Sequence, residues 1–212
     1  MTNNIEVFKQ NSIRIKGKAG TVYIDPFKMN IAPHDADFCL ITHDHYDHFS
    51  PEDIEKVSKK GTILVMPKKM EAKGKDVLKY VSRIETVNPL EFRKISWLEM
   101  EMIPSYNVSK QFHPKTAGWV GYILKIDGKR IYIAGDTDAT DEARNVKCDV
   151  ALVPIGGTYT MDAREAAELI NEIKPETAIP THYGDVVGRP EDGEIFKQNV
   201  QAPTQVQLEC KL

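Results

Sequence analysis

The chain has 212 residues, of which 41% are apolar and 28% charged, a composition typical of one globular domain with a substantial core. With 28 basic and 31 acidic residues the net charge is -3, so nucleic acid is a less favoured partner than a small molecule. No apolar run approaches the roughly 20 residues that span a bilayer. We therefore expect a single domain over residues 1–212 with no membrane partner.

The start of the chain and its cysteines bear on location. Met-Thr-Asn-Asn-Ile-Glu has no basic segment followed by an apolar stretch, so we expect no signal peptide. Cys39, Cys148 and Cys210 are odd in number and widely spaced, which favours reduced packing residues over a disulfide or a cysteine metal site. A cytoplasmic location is the expectation.

Short strands are predicted in the first part of the chain. Residues 12–16 alternate with period two, residues 21–24 follow them, and the apolar residues 36–41 predict a buried strand. A helix is predicted to begin after Ser50, which precedes a proline and has an acidic residue three positions later. The segment between residues 41 and 50 is therefore a strand-to-helix loop.

The later elements alternate between hairpins and strand–helix units. Asp127-Gly128-Lys129 is a strong hairpin turn signal. The elements predicted here are strands at 61–66, 119–126, 130–134, 149–154 and 177–180, a hairpin over 92–104 and a helix from Asp162. Hairpins followed by a strand–helix–strand order indicate central sheets with helices on their outer faces.

The segment Thr42-His43-Asp44-His45-Tyr46-Asp47-His48 is the most informative part of the chain. Imidazole and carboxylate are ligands that suit Zn²⁺ and neighbouring divalent metals, and gathering so many is costly unless a cation offsets it. His43 and His45 are two apart in an extended segment and point to one side. Asp47 and His48 follow in the turn and can serve a neighbouring position. The alternative is a solvated polar loop before a helix.

Two later strand ends carry what a dinuclear site would need. The strand at 130–134 leads into Gly-Asp-Thr, where Asp136 lies in a tight turn and its carboxylate could bridge two ions. The strand at 177–180 leads into Thr-His, which ends in the imidazole of His182. Taken singly, the first is an ordinary turn and the second a surface or capping residue. Together with the histidine-rich loop they indicate one metal site.

These three motifs together resemble the metallo-β-lactamase-fold hydrolases over about residues 10 to 185, and most closely the small branch of ascorbate-phosphate lactonase-like proteins. The resemblance implies an α+β fold, a four-layer αββα sandwich of two mixed sheets with the metals at one edge. It implies two divalent ions, Zn²⁺ first with Mn²⁺ or Fe²⁺ as alternatives. It further implies that the first ion is bound by His43 and His45, the second by Asp47, His48 and His182, with Asp136 as the bridge.

One position departs from the family pattern. The family usually supplies a third histidine to the first ion from a strand end, and in the matching segment, residues 102–107, Asn107 stands at that place. An amide oxygen is a weak ligand for Zn²⁺ compared with imidazole. His113, six residues later, could fold back and take the position, or could be a loop histidine without a metal. Both interpretations stay open at this point.

The expected chemistry is hydrolysis by a metal-bound hydroxide of a small ester, lactone, amide or phosphodiester. The catalytic residues predicted are Asp47, which would orient the hydroxide and accept a proton, and His113. His113, Tyr46 or Asn107 could donate a hydrogen bond to the developing oxyanion. The alternatives are a metal-dependent nuclease or phosphodiesterase, and a metal-binding or sensing module without turnover, which the asparagine at position 107 favours.

Four further residues have predicted structural roles. Asp25 is predicted as a turn residue behind the site, with support of a ligating histidine as the second option. Asp44 faces away from its neighbours in an extended segment, so it is predicted to support the ligands from behind. Trp97 and Trp119 are predicted to lie in the core.

Overall fold

The structure is a computed structural model that describes residues 4–209. The strands are β1 (Ile5–Val7), β2 (Ile13–Gly17), β3 (Gly20–Ile24), β4 (Ala36–Leu40), β5 (Ser58–Pro67), β6 (Arg83–Val87), β7 (Phe92–Ile95), β8 (Leu98–Pro104), β9 (Val120–Ile126), β10 (Lys129–Ile133), β11 (Val150–Pro154), β12 (Thr177–Thr181) and β13 (Gln205–Val206). The helices are α1 (Pro51–Val57), α2 (Asp141–Arg144), α3 (Ala163–Ile173) and α4 (Asp192–Asn199), with 3-10 segments at Lys68–Asp76 and Lys115–Ala117. The predicted thiol Cys210 lies outside the described residues.

The strands form two sheets, and each sheet is mixed. The first has the order β1-β2-β3-β4-β5-β6, antiparallel from β1 to β3 and parallel from β3 to β6. The second has the order β13-β12-β11-β10-β9-β8-β7, parallel from β13 to β10 and antiparallel from β10 to β7. Each sheet therefore combines hairpins with parallel strands, as the order of predicted elements indicated.

Three apolar clusters show how the layers are stacked. The largest lies between the two sheets and includes Leu40 and Ile133. A second packs α3 against the outer face of the second sheet, and a third covers the outer face of the first sheet with α1 and the segment Lys68–Asp76. The result is an α+β fold with helices outside two packed sheets, which confirms the predicted αββα sandwich. Within residues 4–209, every helix is too short or too polar to cross a membrane.

The helix starts follow from local sequence. The hydroxyl of Ser50 accepts a hydrogen bond from the backbone N–H of Asp53, and a proline occupies the first turn of α1. Asp162 caps α3, and the carboxylate of Glu165 accepts a hydrogen bond from the backbone N–H of Asp162, which completes a capping box. Both predicted helix starts are confirmed. The histidine-rich loop therefore connects the end of β4 to the start of α1.

The topology brings the predicted motifs to one edge of the sandwich. Strands β10, β11 and β12 are parallel neighbours, so their carboxyl ends lie side by side. Strand β4 of the other sheet ends at the same edge, where the hydroxyl of Tyr122 on β9 donates a hydrogen bond to the carbonyl of Ile41 at 2.7 Å. The backbone N–H of Val120 donates to the carbonyl of Thr42 at 3.2 Å. These bonds join the two sheets directly beneath the histidine-rich loop.

Candidate metal centre

Seven side chains from separate parts of the chain meet at this edge of the sandwich. They are His43, His45, Asp47, His48, His113, Asp136 and His182. All are buried except His45, which is half-buried. The structure thus brings together all six metal ligands implied by the family resemblance, together with one of the two residues considered for the missing third histidine.

The first group of donors lies around His43. Its Nε2 is 3.1 Å from Nδ1 of His45 and 4.0 Å from Oδ2 of Asp136. Nε2 of His113 lies 3.3 Å from the same Asp136 oxygen. One ring nitrogen from each of the three histidines lies within 4.8 Å of the other two. Three imidazole nitrogens and one carboxylate oxygen therefore face a common point.

The second group lies around His182. Its Nε2 is 3.3 Å from Oδ2 of Asp47, 3.2 Å from Nε2 of His48 and 3.2 Å from Oδ2 of Asp136. Nε2 of His48 is 3.3 Å from Oδ1 of Asp136. Two imidazole nitrogens and the carboxylates of Asp47 and Asp136 thus face a second point. The carboxylate of Asp136 lies against nitrogens of both groups, and the rings of His43 and His48, one from each group, are 3.9 Å apart.

These separations fit the coordination of small divalent cations. Ligand atoms placed tetrahedrally at about 2.0–2.1 Å from an ion are about 3.3 Å apart, which is close to most of the distances within each group. Nε2 of His113 and Oδ1 of Asp136 are buried and make no hydrogen bond of good geometry with any described residue. Buried polar atoms are rarely left in that state. A cation on each side of Asp136 would satisfy both atoms.

His48 is oriented by a buried carboxylate behind it. Oδ2 of Asp25 lies 2.8 Å from Nδ1 of His48, and because a carboxylate only accepts, Nδ1 carries the proton and Nε2 faces the centre. Asp25 also accepts hydrogen bonds from the backbone N–H and the hydroxyl of Thr42 and from the amide of Asn11. The same Thr42 hydroxyl lies 3.0 Å from Nδ1 of His43. Asp25 is therefore not only a turn residue: it supports the ring of a candidate ligand, the second option of the sequence analysis.

His113 is oriented by Asn107. The amide oxygen of Asn107 accepts from the backbone N–H and from Nδ1 of His113, both at 3.0 Å, so Nε2 of His113 is bare and points at Asp136. The amide nitrogen of Asn107 donates to Oδ1 of Asp138 and to the carbonyl of Tyr159. Both the oxygen and the nitrogen of the Asn107 amide therefore make hydrogen bonds to other loop residues. The geometry favours His113 over Asn107 as the donor of the first group.

The electrostatic balance of the centre keeps its carboxylates ionised. Burial alone would raise the pKa of Asp136, but His182 and His48 hold it well below its usual range. Burial also opposes ionisation of Asp47, yet the hydrogen bond from His182 and the nearby His48 lower its pKa to about 2. Both side chains therefore carry the negative charge that a metal ligand needs.

The imidazoles fall into two classes. Burial lowers the pKa of His43, and the neighbouring His48 lowers it further, while burial and the nearby His113 lower the pKa of His45. These rings are neutral, which is the state that binds metals. Burial opposes protonation of His48 as well, but Asp136 and Asp25 raise its pKa well above the usual value. A cation near Asp136 would take the place of that proton.

Trp119 and Asp44 depart from the predictions made for them. The half-buried ring of Trp119 lies 5.0 Å from the rings of both His43 and His45, so it forms a wall of the centre rather than part of the core. The carboxylate of Asp44 forms an ion pair with Lys73 at 2.9 Å rather than a contact with a candidate ligand, so the supporting role predicted for it is wrong. Trp97 packs against the central core, as expected.

The comparisons with known proteins agree with this geometry. The family described as the β-lactamase superfamily domain matches residues 4–182. A UPF0173 metal-dependent hydrolase of Thermococcus kodakarensis is 32% identical over 197 residues, 84% of each chain. One from Staphylococcus aureus is 29% identical over 211 residues, 90% of each chain. The crystal structure of a Parabacteroides distasonis protein, described as a metal-dependent hydrolase, has a TM-score of 0.79 at 28% identity and covers 98% of this chain and 93% of that one.

A family match over most of the chain, a shared fold and a convergent set of histidines and aspartates define the class. The chain belongs to the β-lactamase superfamily. Within that superfamily it is a metal-dependent hydrolase.

Proposed function

We propose that the chain is a dinuclear hydrolase that cleaves a small ester, lactone, amide or phosphodiester. The observation that carries the proposal is the position of Asp136, whose two oxygens lie 3.2–3.3 Å from imidazole nitrogens of both donor groups. A single carboxylate that lies between two sets of imidazole and carboxylate donors is an arrangement that suits a pair of divalent cations.

We assign the ligands by the two donor groups. The first ion would be held by His43, His45 and His113, the second by Asp47, His48 and His182, and Asp136 would bridge them. Nitrogen and oxygen donors at these spacings suit Zn²⁺ best, with Mn²⁺ and Fe²⁺ as alternatives. His113 thereby fills the position at which the sequence has an asparagine.

The chemistry of hydrolysis divides between the ions and the chain. Two divalent ions would acidify a water between them and polarise the oxygen of the scissile bond. Asp47 is buried and anionic, and its Oδ2 lies 3.3 Å from Nε2 of His182, so it would orient the attacking water. With a pKa of about 2 it would hold the proton of that water only transiently. Proton transfer from Asp47 to the leaving group then completes the cycle.

Hydrogen bonds limit the choice of oxyanion donor. Nδ1 of His113 is used by Asn107, and the amide nitrogen of Asn107 is used by Asp138 and Tyr159. The hydroxyl of Tyr46 has no hydrogen-bond partner within the described part of the chain, and its side chain is exposed beside the centre. We therefore assign His113 to metal binding and Tyr46 to oxyanion stabilisation, expecting Tyr46→Phe to lower kcat with little change in metal content.

The test is metal analysis joined to a substrate panel. Protein purified without added metal should contain two ions per chain, measured by elemental analysis, and should cleave at least one ester, lactone, amide or phosphodiester. Asp47→Asn should lower turnover, whereas the matched change Asp44→Asn, on the residue paired with Lys73, should not.

Each alternative has its own outcome in that test. Two bound ions without turnover on the whole panel would identify a metal-binding or sensing module. Cleavage of RNA or DNA with strongly salt-dependent binding would identify a nuclease. Membership of the ascorbate-phosphate lactonase-like branch and a cytoplasmic location stay predictions.

A further inference from the structure

Several exposed apolar side chains lie close along the chain to the candidate metal ligands. Tyr46 is 67% exposed, Val108 68%, Phe112 48% and Val186 37%. Each lies one to four residues along the chain from a candidate ligand or from Asn107. Val108, Phe112 and Val186, together with the half-buried Tyr159, form a set that we call the apolar rim, whereas Tyr46 keeps the oxyanion role proposed above. Grouped exposed apolar residues mark binding surfaces more often than isolated ones do.

Aromatic contacts hold part of the apolar rim against the centre. The rings of Phe112 and Tyr159 meet edge to face at a centroid distance of 4.7 Å. The carbonyl of Tyr159 accepts a hydrogen bond from Asn107, which in turn orients His113. Behind them the indole of Trp119 lies 5.5 Å from the ring of His113. The rim is therefore linked to the first donor group through defined contacts.

Four of the lysines on the loops near the centre are paired within the protein. Each pairs with a carboxylate: Lys28 with Asp185 at 2.7 Å, Lys73 with Asp44 at 2.9 Å, Lys110 with Asp138 at 3.0 Å and Lys115 with Glu142 at 2.8 Å. Recognition of a phosphodiester backbone depends on cations that are free to pair with phosphate. These four lysines already have carboxylate partners, so phosphate would have to compete for them, whereas an apolar group would not.

We propose that the apolar rim binds the non-reacting part of the substrate, and that the substrate is an uncharged ester, lactone or amide with an apolar acyl or aryl group. The inference rests on the proposed function, because the scissile bond must reach the two ions. It narrows the proposed substrate class to esters, lactones and amides of carboxylic acids and excludes phosphodiesters. The reacting carbonyl would lie over Asp136 while the apolar group contacts Phe112 and Val108.

The test uses the metal-loaded enzyme and a series of 4-nitrophenyl esters. We expect kcat/KM to rise at least about tenfold from acetate to octanoate, mainly through KM, because each methylene bound against apolar surface adds discrimination. Bis(4-nitrophenyl) phosphate should be cleaved more slowly than any of the esters. Phe112→Ser and Val108→Ser should each lose most of the chain-length preference, and Phe112→Leu should keep it.

The matched control is Leu90→Ser, a change at a side chain that is 75% exposed in the loop between β6 and β7. It should leave the whole ester series unchanged. Equal kcat/KM for acetate and octanoate, or faster cleavage of the phosphodiester, would overturn the role of the rim while leaving a hydrolase in place.

A binding measurement keeps the inference testable if no ester is cleaved. Hydroxamates chelate metal ions directly, so octanohydroxamate should bind the metal-loaded protein at least about tenfold more tightly than acetohydroxamate in calorimetry. Equal affinities for the two hydroxamates would overturn the substrate-binding role proposed for the apolar rim. A protein that binds no metal would instead overturn the proposed function on which the rim depends.

Discussion

The two donor groups of the candidate metal centre, called its first and second halves below, hold equivalent histidines in different ways. Nδ1 of His48 bonds to the fully buried carboxylate of Asp25, whereas Nδ1 of His113 bonds to the neutral amide of Asn107. A carboxylate both orients an imidazole and makes its other nitrogen a stronger ligand, while an amide only orients it. The second half should therefore hold its ion more tightly, and the first half should exchange its ion more readily.

The backbone explains why the supports differ. His48 follows β4 in a turn whose residue Thr42 is itself bound by Asp25. His113 lies in the long loop between β8 and β9, where the backbone N–H of Asn107 donates to the carbonyl of His113 at 2.7 Å. A strand end receives its position from the sheet, whereas a loop has to build its own hydrogen-bond network before it can present a ligand.

Asp136→Ala should abolish metal binding at both donor groups. Removal of the shared carboxylate leaves each donor group without one ligand and leaves the buried imidazoles without their counter-charge. We expect both ions to be lost and kcat/KM to fall at least about a thousandfold. Elemental analysis and turnover on the best substrate measure these effects. An Asp136→Ala protein that retains two ions would contradict the bridging assignment.

Metal removal should destabilise the fold without unfolding it. Each ion present at a thousandfold its dissociation constant stabilises the fold by about 4 kcal/mol, so two ions contribute about 8 kcal/mol, which for a chain of this length corresponds to roughly 20 °C in Tm. We expect a chelator to lower the Tm of the wild type by about that amount in calorimetry. The Asp136→Ala variant provides the control, because its Tm should not respond to the chelator.

Local signals accounted for the parts of the structure that could be predicted from sequence. The histidine-rich loop, the caps at Ser50 and Asp162 and the turn after Ile126 depend on neighbours along the chain, and the structure has the helices and hairpin that they predicted. Convergence of the strand ends followed from the parallel order of strands, with the family resemblance supplying which side chains would share an ion.

The features missed depend on contacts between distant segments. The support of His113 by Asn107 depends on the folded conformation of the loop that contains both residues. The position of Trp119 as a wall of the centre depends on how β9 packs beside the histidines. Some short elements also lacked a signal. Helix α4 begins without a side-chain cap at Glu191, and β6 alternates weakly in burial, so neither was predicted.

Asp25→Asn should weaken the second half more than the first. The substitution keeps the shape of the side chain but removes the charge that bonds to His48, so the affinity for the second ion should fall about 10- to 100-fold. We expect a smaller loss of affinity for the first ion, because the hydroxyl of Thr42 donates to Asp25 and also contacts Nδ1 of His43. Titration against a competing chelator measures both affinities. Asp44→Asn is the matched control, and an equal loss in the two variants would remove the special role of Asp25.

Asn107→Ala should give a smaller effect confined to the first half. Without the amide oxygen, His113 loses the two hydrogen bonds that fix its ring and its loop. We expect a loss of about tenfold in affinity for the first ion, at the lower end of what supporting residues contribute. The affinity for the second ion should not change. Retention of full affinity at the first site would show that the loop positions His113 without Asn107.

Asn107→Asp tests why this half uses an amide at all. A carboxylate would be the better partner for Nδ1 of His113, and on that ground alone the first site should come to resemble the second. The other end of the side chain faces two acceptors, Oδ1 of Asp138 at 3.1 Å and the carbonyl of Tyr159 at 2.9 Å. An aspartate there would set two carboxylates against each other, so we expect a lower Tm and no gain in affinity for the first ion. Asparagine is the side chain that can accept from His113 and donate to Asp138 at once, and a tighter first site in Asn107→Asp would show that the acceptors rearrange.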